Sequence, residues 1–196
     1  MPRLILASGS AVRARLLTNA GLAIEIVPSN VDEDDIKRVN EGIAVEQLAM
    51  ILARAKAAEV AARNSDALII GADQILDCDG ARFDKPKDRV EAAEHLSAFR
   101  GRTHRLITAC TVHRGLEEIW HYTAIPQLTM WDFNDAFVGD YLARAGDSVL
   151  TSVGAYLLEG LGSNLFEKIE GDYFSILGLP LLPLLAFLRT QGLVLK

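Results

Sequence analysis

The sequence LILASGSAVR, residues 4–13, decides the fold class, because it joins an apolar run to a helix start through a polar break. Leu4 to Ala7 predicts a short buried strand, which Ser8-Gly9-Ser10 ends. Ser10 is a favourable helix cap, so a helix is expected directly after it, with Gly21 closing its C-terminus. A strand followed at once by a helix is typical of an α/β protein.

Strands and helices continue to alternate after this unit. Apolar runs predict strands at Ala23 to Val27 and at Ala67 to Ala72, and the amphipathic stretch from Ala44 to Arg63 predicts the helix between them. The segment Val31 to Asp35 is strongly acidic and is predicted to be a loop.

The middle of the chain carries hairpin signals instead. Asp79-Gly80 lies between two apolar runs, and Arg114-Gly115 separates two long strands predicted at Thr103 to His113 and Glu118 to Met130. Further helices are predicted at Arg89 to Phe99, Asn134 to Ala145 and Pro180 to Gln191. The combination predicts a mixed β-sheet flanked by helices, in a single domain of one or two lobes over residues 1–196.

Composition limits the class of function. The net charge of −6 argues against a broad nucleic-acid-binding surface, although a few lysines and arginines suffice for one nucleotide. Cys78 and Cys110 have no zinc-binding spacing, which favours free thiols in a reducing compartment. The most apolar segment, Ile176 to Leu188, is too short to span a bilayer and is interrupted by prolines. These features predict a cytoplasmic protein without a membrane or nucleic-acid partner.

The first candidate site is the loop before the first helix. A helix N-terminus attracts anions through its unpaired N–H groups, and Gly9 lets a ligand approach the backbone closely. Ser8 and Ser10 add hydroxyl groups, and Arg13 lies in the first turn, where its guanidinium can bind phosphate. An ordinary capped helix with a surface arginine explains the same residues, and on this motif alone that interpretation is favoured.

Acidic residues form the second and third candidate sites. Glu33 could bind Mg²⁺, which takes one or two carboxylates together with substrate phosphates. A solvated loop is the alternative, and it is favoured for Asp34 and Asp35. Asp73 follows an apolar strand, at the edge where α/β proteins bind ligands. It could hold a metal or accept a proton from an attacking water, and this is favoured over a role in capping a turn.

Two lysines are candidate phosphate ligands. Lys85 precedes Pro86, which fixes the backbone, so its ammonium would be held in place; a solvated turn lysine is an equal alternative. Lys56 lies inside the long helix, and the residues alone favour a surface position for it. His104 and Arg105 open a strand, where structural roles are favoured over catalytic ones.

Taken in order, these segments resemble the Maf family of nucleotide pyrophosphatases. The matching pieces are Leu4–Leu17 (LILASGSAVRARLL), Val31–Asp34, Ile70–Leu76 (IGADQIL), Lys85-Pro86, Gly101–His104 (GRTH) and Gly154–Pro180 (GAYLLEGLGSNLFEKIEGDYFSILGLP). Each piece is weak alone, but the ordered set is specific and covers nearly the whole chain.

The resemblance implies an α/β fold with a phosphate-lined cleft, similar to the inosine triphosphate pyrophosphatase group. It implies hydrolysis of nucleoside triphosphates between the α- and β-phosphates, with Mg²⁺ or Mn²⁺ as cofactor, and a homodimer. Asp73 would be the general base and would hold the metal together with Glu33. The implied phosphate ligands are Ser8, Ser10, Arg13, Lys56 and Lys85.

The chain departs from the family at two places and gives a hint about the base. Many members have Ser-Pro-Arg-Arg where this chain has Ser10-Ala11-Val12-Arg13, and many have Gly-Lys-Pro where it has Asp84-Lys85-Pro86. Gln74 and Glu159 stand at positions that are more similar to members acting on 7-methyl-GTP than to those acting on thymidine or uridine triphosphate. A carboxylate such as Glu159 can accept from the N1–H and N2–H edge of guanine.

Two other functions remain open. The family has an association with formation of the division septum, so a non-catalytic, nucleotide-binding regulator of cell division is the first alternative. A phosphomonoesterase, which would release phosphate and not pyrophosphate, is the second. The set Asp73, Lys85 and Glu33 favours the pyrophosphatase over the regulator, because a binding protein needs neither a base nor a metal ligand.

Overall fold

The structure, a computed structural model, describes residues 3–194. In that range the strands are β1 (Arg3–Leu6), β2 (Glu25–Ile26), β3 (Ala67–Cys78), β4 (Ala81–Phe83), β5 (Thr103–Arg114), β6 (Glu117–Ala124), β7 (Gln127–Met130) and β8 (Phe166–Glu170). The α-helices are α1 (Ala11–Asn19), α2 (Glu33–Val39), α3 (Val45–Ala61), α4 (Arg89–Phe99), α5 (Asp135–Ala145), α6 (Tyr173–Ile176) and α7 (Leu181–Thr190). Short 3₁₀ segments lie at Gly146–Thr151, Val153–Ala155 and Leu161–Leu165.

The strands form a mixed sheet, which confirms the predicted fold class. The hydrogen-bonded order is β2-β1-β3-β5-β7-β8, with β4 added to β3 and β6 added to β5. Strand β1 runs parallel to β2 and β3, whereas the pairs that involve β4, β6, β7 and β8 are antiparallel. The parallel strands come from the alternating first part of the sequence, and the antiparallel pairs come from its hairpin-rich middle and from β8 further along the chain.

The chain divides into two compact units. The first contains residues up to 74, residues 108–124 and residues from 172 onward; the second contains residues 75–107 and 125–171. Strands β3 and β5 each contribute residues to both units. The single domain of one or two lobes over residues 1–196 stays a prediction.

The core of the first unit covers both faces of β1 and β3. Leu4, Leu6 and Ile70 pack in a cluster that includes residues of α1 and α7, and the alternate residues Ile5 and Ile69 pack in a second cluster with side chains of α3. Strands buried on both faces read as continuous apolar runs, which is why these two are visible in the sequence.

A glycine sets the distance between β3 and α3. A Cβ added to Gly71 would lie 2.3 Å from the carbonyl oxygen of Ala53 and 2.7 Å from the Cβ of Ala57. No side chain fits there, so the helix approaches the strand directly. The turn of α3 between Ala53 and Ala57 therefore lies directly against β3 at Gly71, two residues before Asp73.

The second unit has an aromatic core around a buried histidine. His104 Nε2 and the hydroxyl of Tyr156 form a hydrogen bond of 2.8 Å, and Phe99 and Phe166 pack beside the imidazole ring. Burial lowers the pKa of His104 to about 4.

The neighbouring residue of β5, Arg105, donates two hydrogen bonds to the buried carboxylate of Asp77, at 3.0 and 2.7 Å. The structural roles favoured for His104 and Arg105 are therefore what the structure shows.

Most predicted elements are confirmed, and four need correction. The acidic segment is not a loop, because Asp32 caps α2 and the following acids form its first turn. The second strand shrinks to Glu25–Ile26. The predicted strand Glu118 to Met130 breaks at Ile125-Pro126 into β6 and β7. Proline lacks the N–H that an uninterrupted strand would donate there.

A further correction concerns the strand that carries Asp73. The prediction ended this strand at Ala72, but β3 continues to Cys78, so Asp73 lies inside the strand. The predicted hairpin follows directly, with positive φ angles of 53° at Asp79 and 83° at Gly80. Among residues 3–194, no helix is long and apolar enough to cross a membrane.

Candidate active site

A buried lysine joins two carboxylates in the first unit. Lys56 on α3 is only 7% exposed, and its Nζ lies 2.7 Å from Oδ1 of Asp73 on β3 and 2.8 Å from Oε1 of Glu33 on α2. The structure thus brings together three residues that the sequence assigned separately. The surface position favoured for Lys56 from its local sequence is wrong.

Local structure explains why these groups meet. The side chain of Asp32 accepts a hydrogen bond of 2.9 Å from the backbone N–H of Asp35, which starts α2 and places Glu33 in its first turn. The close contact at Gly71 holds α3 against β3 two residues before Asp73. A buried ammonium without partners would be costly, and the two carboxylates supply the negative charge that stabilises it.

The predicted phosphate loop lies at the N-terminus of α1. Ser10 is the N-cap, and its hydroxyl accepts from the backbone N–H of Arg13 at 3.4 Å, as the sequence predicted. The hydroxyl oxygen of Ser8 accepts from the backbone N–H of Ser10, at 3.2 Å. Both serines therefore shape the loop in addition to any contact with a ligand.

The Arg13 guanidinium points back into the first unit. Its Nε donates to the carbonyl of Gly178 at 2.7 Å, and its Nη1 donates to the carbonyl of Ala72 at 2.9 Å and to the hydroxyl of Ser8 at 3.2 Å. Burial lowers the pKa of Arg13, and the negative charge of Asp73 opposes this shift. Arginine stays protonated in proteins, so a cation is held beside the residue that precedes Asp73.

The side-chain amide of Gln74, predicted to contact the base, forms hydrogen bonds within the protein. Its amide nitrogen donates to the hydroxyl of Thr108 at 2.8 Å and to the carbonyls of Ser175 and Ile176 at 3.0 and 3.2 Å. These carbonyls belong to α6, whose start is capped by Asp172. Because two of the acceptors are carbonyls, the nitrogen must point toward them, and the amide oxygen is the end left for other contacts.

The donor set fits a divalent cation that the substrate helps to coordinate. Glu33 and Asp73 offer carboxylate oxygens, which Mg²⁺ and Mn²⁺ prefer. Within residues 3–194 there is no group of three or more histidine, cysteine, aspartate or glutamate side chains suited to a metal. A pair of carboxylates is the protein contribution expected where substrate phosphates supply further ligands.

The remaining predicted site residues belong to the second unit. Lys85 is exposed, beside the buried Pro86, and Glu159 is exposed before Gly160. Their roles in phosphate binding and base reading stay predictions.

The sequence did not single out Thr108, Ser175 or Gly178, all of which contact predicted site residues. Thr108 carried no signal, whereas the matching segment Gly154–Pro180 includes Ser175 and also Gly178. Its φ of 98° and its contact with Arg13 explain why glycine is needed there.

Comparison with known proteins decides the family. The family model described as Maf-like protein matches residues 3–191 of this chain. The chain belongs to the Maf family. The buried lysine, its two carboxylates and the capped loop of α1 all lie within the matched residues.

Relatives of this Maf protein carry two kinds of name. A nucleoside triphosphate pyrophosphatase of Nitrobacter hamburgensis is 50% identical over 191 residues, which cover 97% of this chain and 95% of the relative. A 7-methyl-GTP pyrophosphatase of Mesorhizobium japonicum is 47% identical over 194 residues, 98% of each chain. A solved structure of a HAM1 protein from Coxiella burnetii has 15% identity and a TM-score of 0.43, over 68% of this chain and 75% of that one.

Proposed function

We propose that this Maf protein hydrolyses nucleoside triphosphates, modified or non-standard ones included, to nucleoside monophosphate and pyrophosphate. The observation that carries the proposal is the buried Lys56 ammonium held between Asp73 and Glu33. Lys56 and Asp73 are both buried, and apolar side chains can often replace such an ion pair without loss of stability, so stability alone does not account for it. The pyrophosphatase names of relatives at about half identity support this assignment.

The proposed reaction is a displacement at phosphorus. The N–H groups and hydroxyls of the Ser8–Ser10 loop donate to phosphate oxygens, and Lys56 offsets their negative charge. Asp73 orients a water and accepts its proton as the water oxygen attacks the α-phosphorus in line. The bond from the α-phosphorus to the bridging oxygen breaks, and pyrophosphate leaves. A divalent cation held by Glu33 and Asp73 would add positive charge at the phosphate oxygens.

The preferred base is proposed to be 7-methylguanine over thymine and uracil. Support comes from the Asp73-Gln74 and Glu159-Gly160 pairs and from the relatives named 7-methyl-GTP pyrophosphatase. The exposed carboxylate of Glu159 can accept from the donor edge of guanine, and its negative charge favours a methylated, cationic ring. Comparable turnover of UTP and 7-methyl-GTP would refute this preference.

One assay separates the candidate functions. Purified protein is incubated with Mg²⁺ or Mn²⁺ and with dTTP, UTP, GTP or 7-methyl-GTP, and released pyrophosphate and phosphate are measured separately. We expect metal-dependent pyrophosphate, fastest from 7-methyl-GTP. Phosphate as the primary product would indicate the phosphomonoesterase. No release by the folded protein, together with nucleotide binding in calorimetry, would indicate the regulator of cell division.

A further inference from the structure

The Ser8 hydroxyl is restricted in the hydrogen bonds it can make. A serine hydroxyl has one hydrogen to donate and two lone pairs to accept with. In Ser8 the oxygen accepts from the backbone N–H of Ser10 at 3.2 Å and from Nη1 of Arg13 at 3.2 Å. Both lone pairs are therefore used, and only the hydrogen remains available.

The remaining hydrogen has no acceptor among the residues that the structure describes. Within residues 3–194 the structure shows no hydrogen bond donated by the Ser8 hydroxyl. A group that can only donate suits an acceptor-only ligand, and a phosphate oxygen is such a ligand. A neutral ligand that donates, such as an alcohol or an amine, would find no lone pair on Ser8.

Two backbone carbonyls fix the Arg13 guanidinium in the position from which it donates to the Ser8 hydroxyl. Its Nε is fixed by the Gly178 carbonyl at 2.7 Å and its Nη1 by the Ala72 carbonyl at 2.9 Å. The backbone of Gly178, with φ of 98°, leaves room for the guanidinium where a side chain would stand 3.4 Å from Nε. With two carbonyls directing the guanidinium, the position of Nη1 against Ser8 is determined by the fold and not by the ligand.

We propose that Arg13 is a positioning residue that acts on phosphate through Ser8, by turning the Ser8 hydroxyl into an obligate donor. The inference rests on the proposed function, because it concerns the binding of the substrate phosphate: Arg13 contacts Ser8, and Ser8 contacts the phosphate. It differs from the sequence-based expectation that Arg13 itself binds phosphate.

The test is a double-mutant cycle with Ser8→Ala and Arg13→Lys, read as kcat/KM for pyrophosphate release. Lysine keeps the charge but cannot contact both carbonyls and Ser8 in one plane. We expect each single change to lower kcat/KM about tenfold to a hundredfold. If Arg13 acts through Ser8, Arg13→Lys in the Ser8→Ala background should lower kcat/KM less than about threefold further.

Additive losses would overturn the inference, because they would mean that Arg13 contributes independently of Ser8. Ser8→Thr, which keeps a hydroxyl, should restore most of the activity lost in Ser8→Ala. Arg63→Lys is the matched control for exchanging an arginine, since Arg63 is exposed and pairs with Glu59 on the helix surface. Its kcat/KM should equal that of the wild type.

Two further measurements keep the cycle decisive. If Arg13→Lys does not fold, as judged by circular dichroism, Arg13→Gln replaces it in the same cycle, because its neutral amide avoids a buried, misplaced charge. If the wild type releases no pyrophosphate, the proposed function fails, and the cycle is repeated with tripolyphosphate binding in calorimetry. Coupling of the two changes in binding would support the inference, and additivity would overturn it there too.

Discussion

Lys56 shows how one residue can define a site through its partners. Its ammonium is nearly removed from water, and both groups that stabilise it are carboxylates from other elements. Asp73 and Glu33 therefore have a structural task as well as the proposed chemical ones. A substitution at either residue can therefore lower activity through loss of folding or through loss of chemistry, and folding has to be measured beside turnover.

Asp73→Asn should lower kcat for pyrophosphate release by about a hundredfold to ten-thousandfold, because an amide cannot accept the proton of the attacking water. The measurement is steady-state turnover at saturating nucleotide and metal, with thermal unfolding as the test of folding. Asp66→Asn is the matched control, since Asp66 is an exposed acid paired with Arg3. Near wild-type turnover of a folded Asp73→Asn variant would rule out Asp73 as the base.

Glu33→Gln should raise the Mg²⁺ concentration needed for half-maximal activity about tenfold or more, because a carboxylate ligand is replaced by a neutral amide. Activity at saturating Mg²⁺ should fall much less. Asp34→Asn, one residue further in the same helix turn, is the control and should leave the metal requirement unchanged. An equal metal requirement in Glu33→Gln and wild type would argue against Glu33 as a ligand.

At the scale of elements, the contact between α3 and β3 sets the geometry of the site. Gly71→Ala would place a methyl group against the carbonyl of Ala53, so strand and helix must separate. We expect a loss of stability of about 1–3 kcal/mol, together with lower turnover, because Lys56 and Asp73 move apart.

The control for this change is Gly139→Ala in α5. An added Cβ meets nothing within 4 Å there, and alanine is the better helix former, so stability should stay equal or rise. Denaturant unfolding of both variants compares the two positions. If Gly71→Ala were as stable and active as the wild type, the close contact would not position the site.

Elements were largely predictable from the sequence where the pattern was local. Ser10, Asn134 and Gly21 marked helix ends correctly because capping depends on neighbours in the chain. The length of β3 was not predictable from its apolar run, because the strand continues through Asp73, Gln74 and Asp77, whose polar side chains find distant partners.

The contacts of the candidate site were not predictable from the sequence. Local sequence suggested Glu33 and Asp73 as candidates, and the resemblance added Lys56, whose local sequence favoured a surface position. Leu52 and Val60, one turn before and after Lys56, are buried and could have indicated that its helix face points inward. The contact of Arg13 with Gly178 spans 165 positions, and no local pattern encodes it.

For the whole molecule, buried histidines make stability depend on pH. Burial lowers the pKa of His104 to about 4, and lowers that of His95 and His113 as well. Between the ordinary histidine pKa of about 6.5 and these lower values, the unfolded chain binds protons that the folded chain does not. Stability is therefore present above pH 6.5 and is lost as pH falls toward 4.

Thermal unfolding from pH 7.5 to 5 should show this loss, about 2 kcal/mol from His104 alone between pH 6.5 and 5. His104→Phe should flatten the dependence, even though it removes the hydrogen bond to Tyr156. The hydrogen bond with Arg54 is the main reason why the pKa of Glu118 is lowered to about 2. The contribution of Glu118 to stability is therefore lost only below the pH range of this experiment. A melting temperature independent of pH from 7.5 to 5 would contradict the prediction.

The packing of α7 against β1 has a consequence for how the chain is made. Leu184 and Leu188 of α7 share one core cluster with Leu4 and Leu6 of β1. One apolar face of β1 therefore stays uncovered during synthesis until α7 has left the ribosome. Residues 125–171 can complete the second unit before that moment, because none of its parts follow them. Translation that stops before Leu181 should accordingly yield an aggregation-prone product whose second unit is folded and whose first is not.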